Sequence, residues 1–186
     1  MKMKSKFILA MTLLAACGCA ERYTIDGTIT CDTNLDGEKI YLVPLEGASH
    51  ETVDSTIIEK SGFRFEGSLD KEEACVIRVR PAMRKFAQEL LVIKEAGTTT
   101  VEIGMKSRTS GTPQNDTLQQ WKSLKERADA QIYELYNLKK TCQDTLEIKT
   151  IENRIDSINN RFRQESKAIK ERNKNTFGEL LKRFGL

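Results

Sequence analysis

At 186 residues, 39% of them hydrophobic and 31% charged, the chain has enough material for one domain or two small ones around a buried core. Its formal charge of +3 belongs to its start: Lys2, Lys4 and Lys6 precede an apolar run from Phe7 to Leu14, and without them Lys+Arg falls from 30 to 27 against 27 Asp+Glu. A neutral remainder lacks the electrostatic footprint of nucleic-acid binding, so no nucleic acid is expected as a partner.

The start reads as a targeting leader, with a basic end, an apolar stretch and small Ala15 and Ala16 ahead of Cys17. The apolar run is too short to span a bilayer as a helix. The stretch "LLAAC" resembles the lipobox of bacterial lipoproteins, with Leu14, Ala15 and Ala16 leading to the cysteine. The resemblance implies that residues 1–16 are a signal peptide and that Cys17 carries a covalent lipid as the first mature residue. Residues 17–21 are then a short anchor linker. Several acyl chains on one residue anchor stably where a single chain does not. The alternative is an ordinary secretory leader cut near Ala16 or Ala20. On the lipidated reading the chain is held in the cell envelope. Gly18, Cys19, Ala20 and Glu21 lack the acidic cluster that accompanies surface display in similar lipoproteins, which points to the periplasmic side of the outer or inner membrane.

Cys19, Cys31, Cys75 and Cys142 are scattered, with no Cys-x-x-Cys among them. Cys31 and Cys75 are a candidate disulfide between strands, and small buried apolar residues are the other reading, which we favour. His50 is the single histidine, which leaves little from which to build a zinc site. No metal and no cofactor is expected beyond the lipid on Cys17.

From Arg22 to about Arg108 the apolar period is close to two, with turn residues between short runs. In "RYTIDGTIT", Tyr23, Ile25 and Ile29 share one face. The "NLDGEK" stretch, with Asp36-Gly37, predicts a tight hairpin into "KIYLVPL", whose Pro44 calls for an edge or a bulge. "VDSTIIEKSGFRFEGSL" predicts a second hairpin turning at Ser61-Gly62, and "CVIRVR", "ELLVIKE" and "TTTVEIGM" follow, the last two split by Ala96-Gly97. Seven short strands predict an antiparallel β-sandwich or partly open barrel over residues 22–111.

At "SGTPQNDTLQQW" the period changes. Thr112 is placed to cap a helix whose first residue is Pro113. Leu118, Trp121, Leu124, Ala128, Ile132, Leu135 and Leu138 then form one stripe. Asp144 and Glu147 have capping-box spacing, and a second stripe runs through Ile148, Ile151, Ile155, Ile158, Phe162 and Ile169, with a skipped position at Glu165. Residues 112–186 therefore predict a long antiparallel two-helix hairpin with a coiled-coil-like seam. Such stripes mainly hold each other. Part of the seam serving a second copy or an envelope protein is the sharper alternative. Residues 17–112 carry 12 basic and 16 acidic side chains and residues 113–186 carry 15 and 11, a complementarity suited to docking one part on the other or to placing the basic end near anionic lipid.

The order "YTIDGTI", "GEKIYLVPLEG", "VDSTIIEKSGFRFEGSL", "LLVIKEAGTTTVEI" and "SGTPQNDTLQQW" resembles the domain-of-unknown-function family 4369 of exported Bacteroidetes lipoproteins, over roughly Arg22 to Trp121. In many relatives such a domain precedes a thioredoxin-like domain of the TlpA and ResA type, and "NKNTFGELLKRFGL" resembles the joint between the two. Redox activity there needs a Cys-x-x-Cys at a helix start, which no residue of this sequence supplies. The resemblance thus implies at most an accessory or N-terminal half of a thiol-disulfide system.

Phosphate-binding glycine loops, a Gly-x-Ser-x-Gly elbow and a His-Glu-x-x-His motif are all missing from the sequence. Glu72-Glu73 reads as an exposed turn and His50 as a loop residue. The expectation is a non-enzymatic, lipid-anchored binding or scaffold module. Its partners are the membrane and either an envelope protein or a second copy met through the helical hairpin.

Overall fold

The computed structural model describes residues 21–185. Eight strands precede three helices: β1 (Arg22–Ile29), β2 (Lys39–Pro44), β3 (Asp54–Ile57), β4 (Gly62–Ser68), β5 (Glu73–Val79), β6 (Leu90–Lys94), β7 (Gly97–Ile103), β8 (Arg108–Ser110), α1 (Pro113–Thr141), α2 (Thr145–Arg172) and α3 (Thr176–Arg183). The strands form two open four-stranded sheets, ordered β4-β1-β7-β8 and β3-β2-β5-β6. Their facing sides enclose one apolar core that includes Ile25, Ile40, Phe65, Ile77, Val92 and Val101. The sandwich read from the sequence is therefore the architecture, with an eighth strand at its edge.

The pairing differs from simple hairpins. β1 and β2 lie in different sheets, as do β3 and β4, so neither Asp36-Gly37 nor Ser61-Gly62 closes a hairpin of paired strands. Both turns instead carry the chain from one sheet to the other. Lys60 and Ser61 both adopt positive φ (51° and 59°), which leaves a single bridge, Glu59 to Gly62, before the strands diverge. Asp36 Oδ1 accepts from the Ser61 backbone N–H at 2.8 Å and so ties the two crossing turns together. The long excursion through the second sheet also explains why β7 returns beside β1 in parallel, the exception in an otherwise antiparallel fold. Pro44 ends β2 beyond Leu42, the last residue that β3 pairs, so its missing donor costs no ladder bond on that side.

Gly27 of β1 faces the core opposite Phe63, and a β-carbon there would sit 1.9 Å from the Phe63 ring. The ring lies where the side chain would be.

The β5–β6 part of the second sheet is buried on both faces. Its outward residues Ala74, Leu91 and Ile93 lie under Leu118, Trp121, Phe177, Leu180 and Leu181 from α1 and α3. α3 is a third helix beyond the two of the expected hairpin. Asn175 caps it, accepting from Gly178 N–H at 3.2 Å, and its Phe177 and Leu181 are fully buried. The strands end and the helices begin at residues 111–113, but this second core straddles the boundary.

Beyond Trp121 the two long helices pack mainly on each other, through Leu135, Ile151 and Ile155. Asp144 caps α2 by accepting from Leu146 N–H and Glu147 N–H. Ser166, fully buried, fills the seam one residue beyond Glu165, where the apolar spacing skips, and accepts from the Trp121 indole N–H at 3.1 Å. A small residue there makes room for the ring.

Candidate functional site

Cys17, with Leu14, Ala15 and Ala16, lies outside the described residues, as does Cys19. Cys31 and Cys75 are free thiols and form no disulfide with each other; they pack as small residues in or against the sandwich core, which is the alternative reading. Burial pushes the Cys75 thiol up to about 12, with Glu73 adding to the effect. Cys142 is also free, near the tip of the helical hairpin, and donates to Glu147 Oε2 at 3.2 Å. His50 sits exposed in the turn after β2. Glu72 and Glu73 are not one turn: Glu73 opens β5 and pairs with Lys94 across the strands, while Glu72 accepts from the Thr176 hydroxyl at 3.2 Å. Burial works against the charge of Lys94, but the Glu73 carboxylate outweighs it and holds the ammonium above its ordinary range. Among the described residues no cluster of His, Cys, Asp or Glu is placed to hold a metal ion, and no helix is long and apolar enough to cross a membrane.

The densest polar assembly joins the sheets to α1. Thr112 occupies the N-cap position but does not cap with its side chain. Its hydroxyl bonds Thr99 at 3.1 Å and accepts from Asn115 Nδ2 at 2.9 Å. The cap comes from the β6–β7 turn instead: buried Glu95 Oε1 accepts from the Gln114 and Asn115 N–H groups at 2.9 and 3.0 Å. A carboxylate suits this place, where unpaired donors and the positive end of the helix dipole coincide. The Asn115 side chain behaves as one residue of a further strand, accepting from Ile93 N–H at 2.9 Å and donating to Ile93 O at 2.7 Å. Gln114 Oε1 accepts from Phe177 N–H at 3.0 Å, which fixes the start of α3. Glu95, Thr99, Gln114 and Asn115 are all buried and satisfied, so this assembly is a clasp rather than a binding site.

The clasp sets the direction of the hairpin. It sits at the end of the sandwich where β1 begins, since Tyr23 lies opposite Gly97 at the start of β7. From there α1 runs along β8, with Gln119 Oε1 accepting from Thr109 N–H and Lys122 donating to the Ser107 carbonyl at the other end. Burial lowers the pKa of Lys122. The rest of α1, to Thr141, reaches about 28 Å farther at 1.5 Å per residue. α2 returns, and α3 closes the end from which α1 started, with Arg183 paired to Glu46. The opposite charges of the two parts thus contribute only this ion pair across the boundary among the described residues, and docking rests on the second core and the clasp.

One face of the projecting hairpin carries an open groove of about 540 Å³, lined by Gln131, Glu134, Leu135, Leu138, Arg154 and Ile158. A smaller continuation toward the base includes Leu124, Arg127, Arg161, Phe162 and Glu165. Leu138, a stripe residue expected in the seam, is 45% exposed here. Tyr133 and Leu146, outside the groove, are 68% and 76% exposed. The sequence stripe locates the seam but not this side face, which depends on how the two helices are rotated against each other.

A family model described as a domain of unknown function, DUF4369, matches residues 23–118. The chain belongs to this family. The matched region runs from the start of β1 to the first turns of α1, so it takes in the whole sandwich of this DUF4369 chain together with the Glu95–Asn115 clasp. The two-helix projection beyond it lies outside the match. Searches of curated proteins and of solved structures find no match to the chain.

Proposed function

We propose that this protein is a lipid-anchored, non-enzymatic component of the cell envelope that uses its helical hairpin as the binding or scaffolding element. The observation that supports this most is a matter of direction. β1, which follows the anchor linker, starts at the clasp end of the sandwich, while the hairpin tip projects past the opposite end. A lipid on Cys17 would place the sandwich next to the membrane and hold the exposed Leu138, Tyr133 and Leu146 away from it. Exposed apolar side chains on a projecting element are where a partner is met. A part in thiol exchange draws less support, because Cys75 is 1% exposed and its thiol is held protonated.

Metabolic labelling with an alkynyl palmitate, followed by membrane fractionation, tests the reading. The wild type is expected to take up label and to sediment with membranes. Cys17→Ser is expected to lose both, and a variant that still sediments with membranes to the same extent would overturn the anchor.

A further inference from the structure

We propose that the groove of one hairpin is filled by the groove of a second copy of this chain, giving a parallel four-helix dimer in which Glu134 meets Arg154 of the partner subunit. This names the partner of the hairpin and rests on the reading above for one point, that both copies are anchored in the same membrane.

The groove has an apolar floor between two charged rims. Leu135, Leu138 and Ile158 line its outer part together with Glu134 and Arg154, and Leu124 and Phe162 line its inner part with Arg127, Arg161 and Glu165. None of these five charged residues is in an ion pair among the described residues, although the neighbouring outward faces of the same helices are tied by Lys125–Asp129 and Lys139–Glu152. The charges facing the groove are therefore free to pair with something outside the chain.

A two-fold axis running along the hairpin keeps every residue at its own height and sets α1 of one copy against α2 of the other. Residues that share one part of the groove then meet across the interface. Glu134 meets Arg154 of the partner subunit, and Arg154 meets Glu134 of the partner subunit. In the inner part Arg127 meets Glu165 of the partner subunit in the same reciprocal way. The apolar side chains between the rims interdigitate as in a four-helix bundle.

The opposite arrangement, with the axis across the hairpin, is disfavoured by the same residues. Gln131 and Ile158 line both parts of the groove and would lie at its centre. Glu134 would then approach Arg127 of the partner subunit, but Arg154 would approach Arg161 of the partner subunit, a like-charge contact in a partly desolvated interface that offsets it, and Glu165 would be left without its arginine. It would also put the starts of the two β1 strands at opposite ends of the dimer, whereas the parallel form directs both toward one bilayer.

The test is sedimentation equilibrium of the full chain purified from membranes in detergent. Wild type is expected to be dimeric. Glu134→Arg and Arg154→Glu should each raise the dimer dissociation constant by about tenfold or more, since each turns two attractions into repulsions. Both positions are exposed, so both variants should keep the wild-type melting temperature to within a few degrees.

Mixing the two variants is the decisive arm. In the mixed dimer the introduced arginine faces the introduced glutamate, and the native Glu134 and Arg154 face each other in the second contact. A heterodimer of near wild-type stability is expected, and a contact within one chain would not produce it. A wild type that stays monomeric at about 100 μM overturns the proposal, as does a mixture that fails to associate. Tighter self-association of Arg154→Glu alone overturns the parallel form, because it is the signature of the reversed arrangement. Palmitate labelling reads the anchor separately, so a complementing dimer without label would remove the anchor and leave the interface standing.

Discussion

The Trp121 indole N–H donates to the Ser166 hydroxyl at 3.1 Å, across 45 residues of sequence and the seam between α1 and α2. Around that bond Phe162, Phe177 and Phe184 pack on the indole with ring centroids 6.2, 6.5 and 6.2 Å away. One ring thus holds three helices together.

Ser166→Ala is expected to leave the indole N–H buried without a partner and to cost about 1–2 kcal/mol, the penalty for an unmet donor. Urea unfolding followed by Trp121 fluorescence measures this. No loss of midpoint would show that water replaces the hydroxyl.

Glu95→Ala removes the acceptor of Gln114 N–H and Asn115 N–H together, and about 3 kcal/mol of stability is expected to go with it. Glu95→Gln keeps an oxygen at the same place but gives up the attraction of a negative charge for the helix start, and should cost roughly half as much. The order of urea midpoints, wild type above Gln above Ala, is the expected result. Equal midpoints for the two variants would mean that the charge, and not the acceptor, holds α1.

Gly178 allows α3 to begin where it does. A β-carbon there would lie 1.6 Å from the Asn173 carbonyl oxygen, a backbone atom that does not swing aside. Gly178→Ala is expected to undock α3 at a cost of about 2–4 kcal/mol. Limited proteolysis should then cut the connection at residues 173–176 at least several times faster, and Trp121 emission should shift to the red as Phe177 and Phe184 leave it. Unchanged cutting and emission would show that the connection bends to accept the methyl group.

The Cys75 thiol makes stability depend on alkaline pH. Its folded pKa of about 12 lies above the ordinary thiol value of 9.0 that the unfolded chain is expected to show, so between these limits the unfolded state binds fewer protons than the folded one. Stability is then fully present below pH 9 and falls as pH rises toward 12, with a slope of at most about 1.4 kcal/mol per pH unit from this group. Cys75→Val is expected to flatten that slope in melts recorded from pH 8 to 11. A slope identical to wild type would assign the alkaline loss to other groups.

The sandwich was legible because period-two apolar runs are a local signal, and so were α1 and α2, whose period is 3.6. The turns were legible as turns but not in their destinations. Asp36-Gly37 and Ser61-Gly62 have hairpin chemistry, yet the strands they join separate into two sheets, since what decides is which face the next apolar run can bury. Asp144 was readable as a cap because its partners lie two and three residues away. Thr112 takes the N-cap position its sequence context predicts, but the oxygen that caps α1 comes from Glu95, 17 residues earlier and out of reach of any local signal.

The sequence by itself determined seven of the eight strands, the two long helices and their order, all of which rest on neighbours a few residues apart. Only the tertiary structure decided the rest: the parallel β1–β7 pair, the clasp of Glu95 and Asn115, the docking of α3 against Trp121, and the groove with its unpaired charges on Glu134 and Arg154. Each joins residues far apart in the chain, and pairing at that range is set by how the buried faces fit together, which local periodicity does not encode.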